Sequence, residues 1–239
     1  MENKGKAIII GASSGIGEAL ARLLSSKGFR VGICARRSHL LISLQSDLSG
    51  SVVKEMDVGK PDEAIELFRG LLEEMGGADV VVISAGTGFI NPELEWQKEK
   101  TTIDVNVIGF CAMANAAVKY FMKSGRGHLV AISSVAALFG SHQAPAYSAS
   151  KAFVLNYLEG LQGRMKRARL PITVTDIRAG FVDTAMAQGP GIFWMASPEK
   201  AAWQIYQAIM KKKTCAYVTR RWRLIAWLLK IVPHSLLAR

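Results

Sequence analysis

Ala7-Ile8-Ile9-Ile10-Gly11-Ala12-Ser13-Ser14-Gly15-Ile16-Gly17 is the stretch whose reading decides the fold. Four apolar residues run straight into a glycine-rich turn, and Leu20, Leu23 and Leu24 then recur at helical spacing. A short apolar strand, a tight turn and an amphipathic helix make the first half of a βαβ unit. Glycine permits the sharp turn and a close approach of backbone to a ligand. The helix that follows opens with unpaired N–H groups and the positive end of its dipole, which suits a phosphate. The spacing is GxxxGxG, not the GxGxxG of the commoner dinucleotide fingerprint. Glycine-rich turns before helices also arise for steric reasons alone, so the surrounding pattern has to supply the meaning.

Outward from this turn, runs rich in Val and Ile recur at 30–35, 52–56, 80–84, 128–133 and 172–177, with a weaker one at 216–218. Between them lie segments of helical period, for example 17–27, 61–75 and 147–167. Strands so uniformly apolar are buried on both faces, as a parallel sheet covered by helices requires. The alternation predicts an α/β fold, a doubly wound parallel sheet of about seven strands with helices on both sides. No linker, repeat or low-complexity segment interrupts it. One body over 1–219 is expected, followed by a basic amphipathic extension over 220–239.

The chain has 239 residues, half of them hydrophobic, which is enough for a large core. Cys34, Cys111 and Cys215 are far apart and read as small buried hydrophobes, and the four histidines are equally scattered, so no metal site is expected. The apolar run after Lys6 is too short for a secretion signal, and no stretch reaches the length of a membrane span. A cytoplasmic protein is therefore expected, with peripheral membrane contact left open. The net charge of +11 is concentrated at the end. No acidic residue follows Glu199, while Lys200, Lys211 to Lys213, Arg220, Arg221, Arg223, Lys230 and Arg239 do.

Gly11-Ala12-Ser13-Ser14-Gly15-Ile16-Gly17 at the first βα turn resembles the short-chain dehydrogenase/reductase superfamily, and the resemblance extends from about residue 5 to about residue 210. It implies a Rossmann-type fold, with Gly11, Ser13, Ser14, Gly15, Ile16 and Gly17 around the pyrophosphate of a nicotinamide dinucleotide. In that family the end of the second strand selects the cofactor. Here it reads Ala35-Arg36-Arg37, with no carboxylate to bind a ribose hydroxyl or repel a phosphate. The planar fork of arginine suits the 2′-phosphate, so NADP(H) is favoured. Asp57-Val58 is similar to the family's adenine-contacting pair. Ser84-Ala85-Gly86 stands where the family usually has Asn-Ala-Gly, and Ser in place of Asn implies some loss of sheet anchoring.

Tyr147-Ser148-Ala149-Ser150-Lys151 carries the chemistry. On a helix, positions i and i+4 share one face. A phenol is a poor acid or base near neutrality unless a neighbouring ammonium lowers its pKa, and Lys151 is expected to do so. By resemblance Ser134 and Asn106 complete the family's tetrad. Tyr147 is then the general acid/base, Ser134 holds the substrate oxygen, Lys151 also binds the nicotinamide ribose, and Asn106 supports a proton-relaying water. Gly180, Val182 and Thr184 match the nicotinamide side, although Ala179-Gly180 replaces the family's Pro-Gly and should loosen that turn.

Between Thr184 and Pro198, Gly189, Pro190 and Gly191 supply hinge-like backbone, while Met186, Ile192, Phe193, Trp194 and Met195 supply apolar surface. By resemblance this is a flap over the substrate; the alternative is that the side chains plug the core. With Phe89, Leu138 and Phe139 nearby, a hydrophobic carbonyl or alcohol is the expected substrate. An acyl chain on a carrier protein is the alternative, and a non-catalytic NADPH sensor a further one. The tail from Arg220 to Val232 resembles the hydrophobic tails of membrane-associated hydroxysteroid-type dehydrogenases. It is read as a membrane contact or, with equal weight, a dimer-contact helix, with a helix packed on its own subunit as a further alternative, and not as a nucleic-acid binder. A homodimer or homotetramer is implied by resemblance.

Overall fold

The computed structural model describes residues 4–187 and 193–229. Strands β1 (Lys6–Ile10), β2 (Arg30–Ala35), β3 (Val52–Glu55), β4 (Val80–Ile83), β5 (Gly127–Ser134), β6 (Ile172–Ala179) and β7 (Cys215–Val218) form one sheet in the order β3-β2-β1-β4-β5-β6-β7. Every neighbouring pair is parallel. Helices α1 (Gly15–Ser26), α2 (Ser38–Ser46), α3 (Pro61–Met75), α4 (Trp96–Ile103), α5 (Phe110–Ser124), α6 (Pro145–Arg167), α7 (Pro198–Met210) and α8 (Trp222–Leu229) follow in chain order. This is the single Rossmann-type domain that the apolar alternation predicts. The chain winds away from β1 in one direction and from β4 in the other. The strand order therefore reverses between them and opens a crevice beyond Ile10 and Ile83, where α/β folds bind ligands.

The sheet separates two apolar layers, because side chains alternate along a strand. Ile8, Ile10, Val81, Ile83, Leu129 and Val174 pack with α3, α5 and α6 through Phe68, Leu71, Phe121 and Leu158. Ile9, Val31, Ile33, Val82, Val130 and Ile177 face α1, α2 and α7 through Leu20, Leu24, Leu41, Ile205 and Ile209. Among the described residues one helical run, Trp96–Ser124, is long and apolar enough to cross a membrane by length and composition, and 50% of its window is buried inside the molecule. That burial is what a core helix shows.

Two expectations need correcting. Of the cysteines only Cys34 is buried; Cys111 is partly covered and Cys215 is exposed, because β7 is an edge strand. The turn after β6 is not loose either. Gly180 N–H donates to Val218 O at 2.5 Å, which ties it to β7 without a proline.

Candidate active site

The glycine turn is built by backbone packing. A Cβ on Gly17 would lie 2.1 Å from Gly11 O, and one on Gly11 would lie 2.4 Å from Ala85 N, so neither position accepts a side chain. Gly11 and Gly15 also have φ of 93° and 60°, where glycine carries no steric penalty. Ser84 and Ala85 both donate their N–H to Ile10 O at 2.8 Å, so backbone fastens the end of β4 to β1 without the asparagine. Ser14, the N-cap of α1, makes no side-chain cap, which leaves the first N–H groups of the helix facing the crevice. Its hydroxyl instead accepts from Arg37 Nη2 at 2.6 Å, and Ser13 Oγ accepts from the same guanidinium at 2.9 and 3.2 Å. Arg36 is exposed beside them. Across the crevice Thr184 meets the same turn, its Cγ2 2.8 Å from where a Gly15 Cβ would stand.

Tyr147 and Lys151 lie on α6, one turn apart, with Lys151 Nζ 5.8 Å from the centre of the Tyr147 ring. Ser134, the last residue of β5, is close enough to the Tyr147 hydroxyl to favour its ionised form. Ser134 in turn donates to Ala179 O at 3.3 Å and accepts from Ala136 N at 3.1 Å, so its hydroxyl is held in place from both sides. Lys151 Nζ donates to Ile132 O at 3.0 Å. Asn106 sits in a π-helical turn, Asp104–Gly109, that joins α4 to α5. The wider turn lets Asn106 reach across to the loop after β4. Its Oδ1 accepts from Thr87 N at 2.8 Å, and its Nδ2 donates to Thr87 O at 2.7 Å and Ser150 Oγ at 3.0 Å. Gly86 lies between, its would-be Cβ 3.3 Å from Asn106 Oδ1 and 3.4 Å from Lys151 Nζ.

The electrostatics differ from the expectation in one respect. Burial raises the Tyr147 pKa above that of an ordinary phenol, and nearby Ser134 only partly offsets it. Burial also pushes Lys151 down to about 8, against the pull of the Asp176 carboxylate. A neutral phenol needs no solvation of charge in this desolvated site, whereas a phenolate and an ammonium both do. At neutral pH the site therefore holds a protonated tyrosine beside a charged lysine.

The profile of the short chain dehydrogenase family matches residues 5–190, which is most of the chain. The chain is a short-chain dehydrogenase. An uncharacterized oxidoreductase of Myxococcus xanthus is 38% identical over 186 residues, covering 75% of this chain and 73% of that protein. One from Mycobacterium tuberculosis is 35% identical over 191 residues, covering 76% and 74% respectively. Among solved structures, an actinorhodin polyketide ketoreductase with NADPH superimposes with a TM-score of 0.77 at 25% identity, covering 89% of this chain and 95% of that one. A Burkholderia phymatum relative in complex with NAD reaches a TM-score of 0.84 at 18% identity, covering 95% and 92%, and so shares the fold.

The remaining sequence-derived positions of this dehydrogenase fall in the turns after β3 and β6. Asp57 accepts from Gly59 N at 2.9 Å and shapes the turn after β3, while the Val58 side chain is buried in the core. Val182 forms a one-residue bridge with Ala196, and Asp183 N–H donates to Ala196 O at 2.8 Å, so both ends of the flap segment are stitched together. Met186, Phe193, Trp194 and Met195 are exposed and do not plug the core. Gly189, Pro190, Gly191 and Ile192 lie outside the described residues.

Two contributors to the dehydrogenase site were not legible in the sequence. Asp176, 1% exposed, accepts from Arg178 Nε at 2.6 Å and from Ser133 Oγ, and so places a paired buried carboxylate under Lys151. Trp222, on α8, covers the turn after β6, with its ring centre 5.5 Å from that of Phe181. The Asp176 pairing depends on strand register, and the Trp222 contact on where a distant helix lands. No local pattern reports either.

Proposed function

We propose that the protein is an NADPH-dependent reductase that converts the carbonyl of a hydrophobic substrate to an alcohol, or runs the reverse reaction. The observation that carries this reading is Tyr147 and Lys151 one turn apart on α6, with Lys151 Nζ 5.8 Å from the tyrosine ring. The site fits a dinucleotide on its own terms. The uncapped start of α1 and the Gly11, Ser13, Ser14, Gly15, Ile16 and Gly17 turn suit a pyrophosphate. Arg37, already bridging the two serine hydroxyls, forms with Arg36 a cationic rim for a 2′-phosphate. Asp57 and Val58 would border the adenine, Ala85 and Gly86 the middle of the cofactor, and Gly180, Val182 and Thr184 the nicotinamide. Tyr147 and Lys151 would meet its ribose.

Bound there, NADPH supplies a hydride to the carbonyl carbon. The chain's own residues do the rest. Ser134 Oγ, anchored by Ala136 N, would turn the proton it gives to Ala179 O toward the substrate oxygen and so orient that oxygen. Tyr147 gives that oxygen its proton, and the phenol's raised pKa keeps the proton available until it is needed. Lys151 stabilises the negative charge that develops on the phenol oxygen. Asn106 clamps Thr87 and so fixes the loop after β4, whose Gly86 lies beside Lys151. Phe89, Leu138, Phe139, Phe193 and Trp194 give the mouth its apolar character. A homo-oligomer is part of the same proposal, supported by exposed Ile103, Ile108, Met122 and Phe153 along the α4–α6 face.

A carrier-borne acyl ketone is the second reading, favoured by the resemblance to a polyketide ketoreductase and by the basic residues at the tail. The test is loss of reduced-nicotinamide absorbance with NADPH or NADH across free ketones, aldehydes and carrier-bound ketones. Turnover with NADPH on free apolar ketones supports the main reading, and turnover on the carrier-bound series alone selects the second. Tight NADPH binding without turnover of any compound, and with Tyr147→Phe indistinguishable from wild type, would replace both with a cofactor sensor.

A further inference from the structure

Helix α8 is apolar on both sides. Trp222 and Ala226 face inward at 4% and 1% exposure, whereas Leu224, Trp227 and Leu228 stand 69%, 65% and 52% exposed. At 3.6 residues per turn, those three occupy the sector directly opposite the Trp222/Ala226 stripe. A helix with apolar residues on opposite faces is normally buried on both, so among the described residues the outer half lacks a partner. Apolar surface continues beyond the helix. Phe193 and Trp194, 47% and 42% exposed, pack their rings 5.1 and 6.1 Å from that of Trp222. Trp194 has φ of 54°, a left-handed conformation that a bulky residue avoids unless its surroundings hold it. Here the holders are Trp222 and the Arg221 guanidinium, 5.4 Å over the Trp194 ring.

Charge says what covers this surface. Arg220, Arg221 and Arg223 are exposed at the start of α8, and no Asp or Glu follows Glu199. A second copy seated on the patch about a two-fold axis would set these arginines against themselves, which is unfavourable. An apolar surface that carries fixed anions has no such conflict. Tryptophan also favours the boundary between headgroups and acyl chains, and arginine stems can lie along apolar matter while their charges reach phosphate.

We infer that the outer face of α8, together with Phe193 and Trp194, seats on an anionic lipid surface. Leu224, Trp227 and Leu228 enter the headgroup–acyl boundary, and Arg220 and Arg223 meet the lipid phosphates. The inner face of the same helix lies on the turn after β6 and on the 3-10 turn Val135–Leu138 that follows Ser134. Docking therefore sets the mouth of the candidate active site against the bilayer, where an apolar substrate is dissolved. This last consequence rests on the proposed reductase function; the binding itself does not.

The test is co-sedimentation of the full chain with phosphatidylcholine vesicles, with and without phosphatidylglycerol. The expected result is binding to the anionic vesicles that weakens in high salt. Trp227→Glu with Leu228→Glu should lose it, and Arg220→Ala with Arg223→Ala should weaken it roughly five-fold per arginine. All four positions are exposed, and unchanged melting and NADPH binding would show that the variants fold. No binding of the wild type to anionic vesicles overturns the inference, as does equal binding of wild type and both variants. A wild type that ignores vesicles while Trp227→Glu with Leu228→Glu splits an oligomer would assign the face to a second copy instead. Vesicle binding without any carbonyl turnover would leave this inference standing and sink only the reductase reading.

Discussion

The Trp222 indole packs against Gly180 so closely that a Cβ on Gly180 would lie 2.0 Å from Trp222 Nε1. The contact joins the C-terminal helix to the turn that follows β6. Trp222→Ala should therefore destabilise the whole domain, by about 3–5 kcal/mol for a buried tryptophan. The lower end is expected, because the Trp222 N–H has no hydrogen-bond partner to lose. Gly180→Ala should displace the indole and give much of the same loss. The two changes together should cost less than their sum, since they break one contact. Urea unfolding of the single and double variants measures this; fully additive costs would show that the contact is not shared.

Reduction should be level at low pH and fall above about pH 8. The reaction needs the proton on Tyr147 and the charge on Lys151, and both are lost as pH rises. Lys151 titrates first, because burial has brought it down to about 8 while the tyrosine has been raised. The measurement is kcat/KM for ketone reduction as a function of pH. Lys151→Arg keeps the charge and should move the falling limb upward, whatever it does to the plateau. A limb that stays in place assigns the titration to another group.

Arg37 should discriminate between the two nicotinamide dinucleotides. Arg37→Ala removes a charge-assisted hydrogen-bond donor, and for an exposed guanidinium the lower end of the usual range, about 1.5 kcal/mol, applies. KM for NADPH should rise roughly ten-fold, with NADH little changed. Equal losses on both would mean that Arg37 acts only by holding Ser13 and Ser14 in place.

His128 should make the protein acid-sensitive. It is 5% exposed, its Nε2 lies 2.7 Å from Thr175 Oγ1, and burial with nearby Lys212 lowers its pKa to about 4. Between about 4 and the unfolded value of 6.5 the unfolded chain binds a proton that the folded one does not, so stability falls as pH drops through that window. The loss is on the order of 3 kcal/mol when complete. His128→Gln should flatten that part of the profile of urea midpoint against pH. An unchanged slope would place the acid sensitivity elsewhere.

Tyr147→Phe should lower turnover at least a hundred-fold, within the range for losing a general acid, and leave NADPH binding intact by fluorescence titration. Retained turnover would remove Tyr147 from the mechanism.

The parts of this protein that its sequence alone determined are those written in local periods. The short apolar runs at 7–10, 30–35 and 80–84, bounded by turn residues and alternating with helical periods, specify strands buried on both faces. Gly11 to Gly17 specifies a tight strand-to-helix turn, and Tyr147 with Lys151 shares a helix face by spacing alone. What only the tertiary structure decided depends on elements distant in the chain. Asp176 came to lie under Lys151 through the β5–β6 register, and Asn106 came to grip Thr87 through a π-helical turn. Trp222 landed on Gly180, and α8 thereby came to cover the turn after β6. The direction of the Tyr147 shift belongs with these. A lysine four residues away argues for a lowered pKa, but burial is a sum over everything packed around the phenol, and here burial prevails.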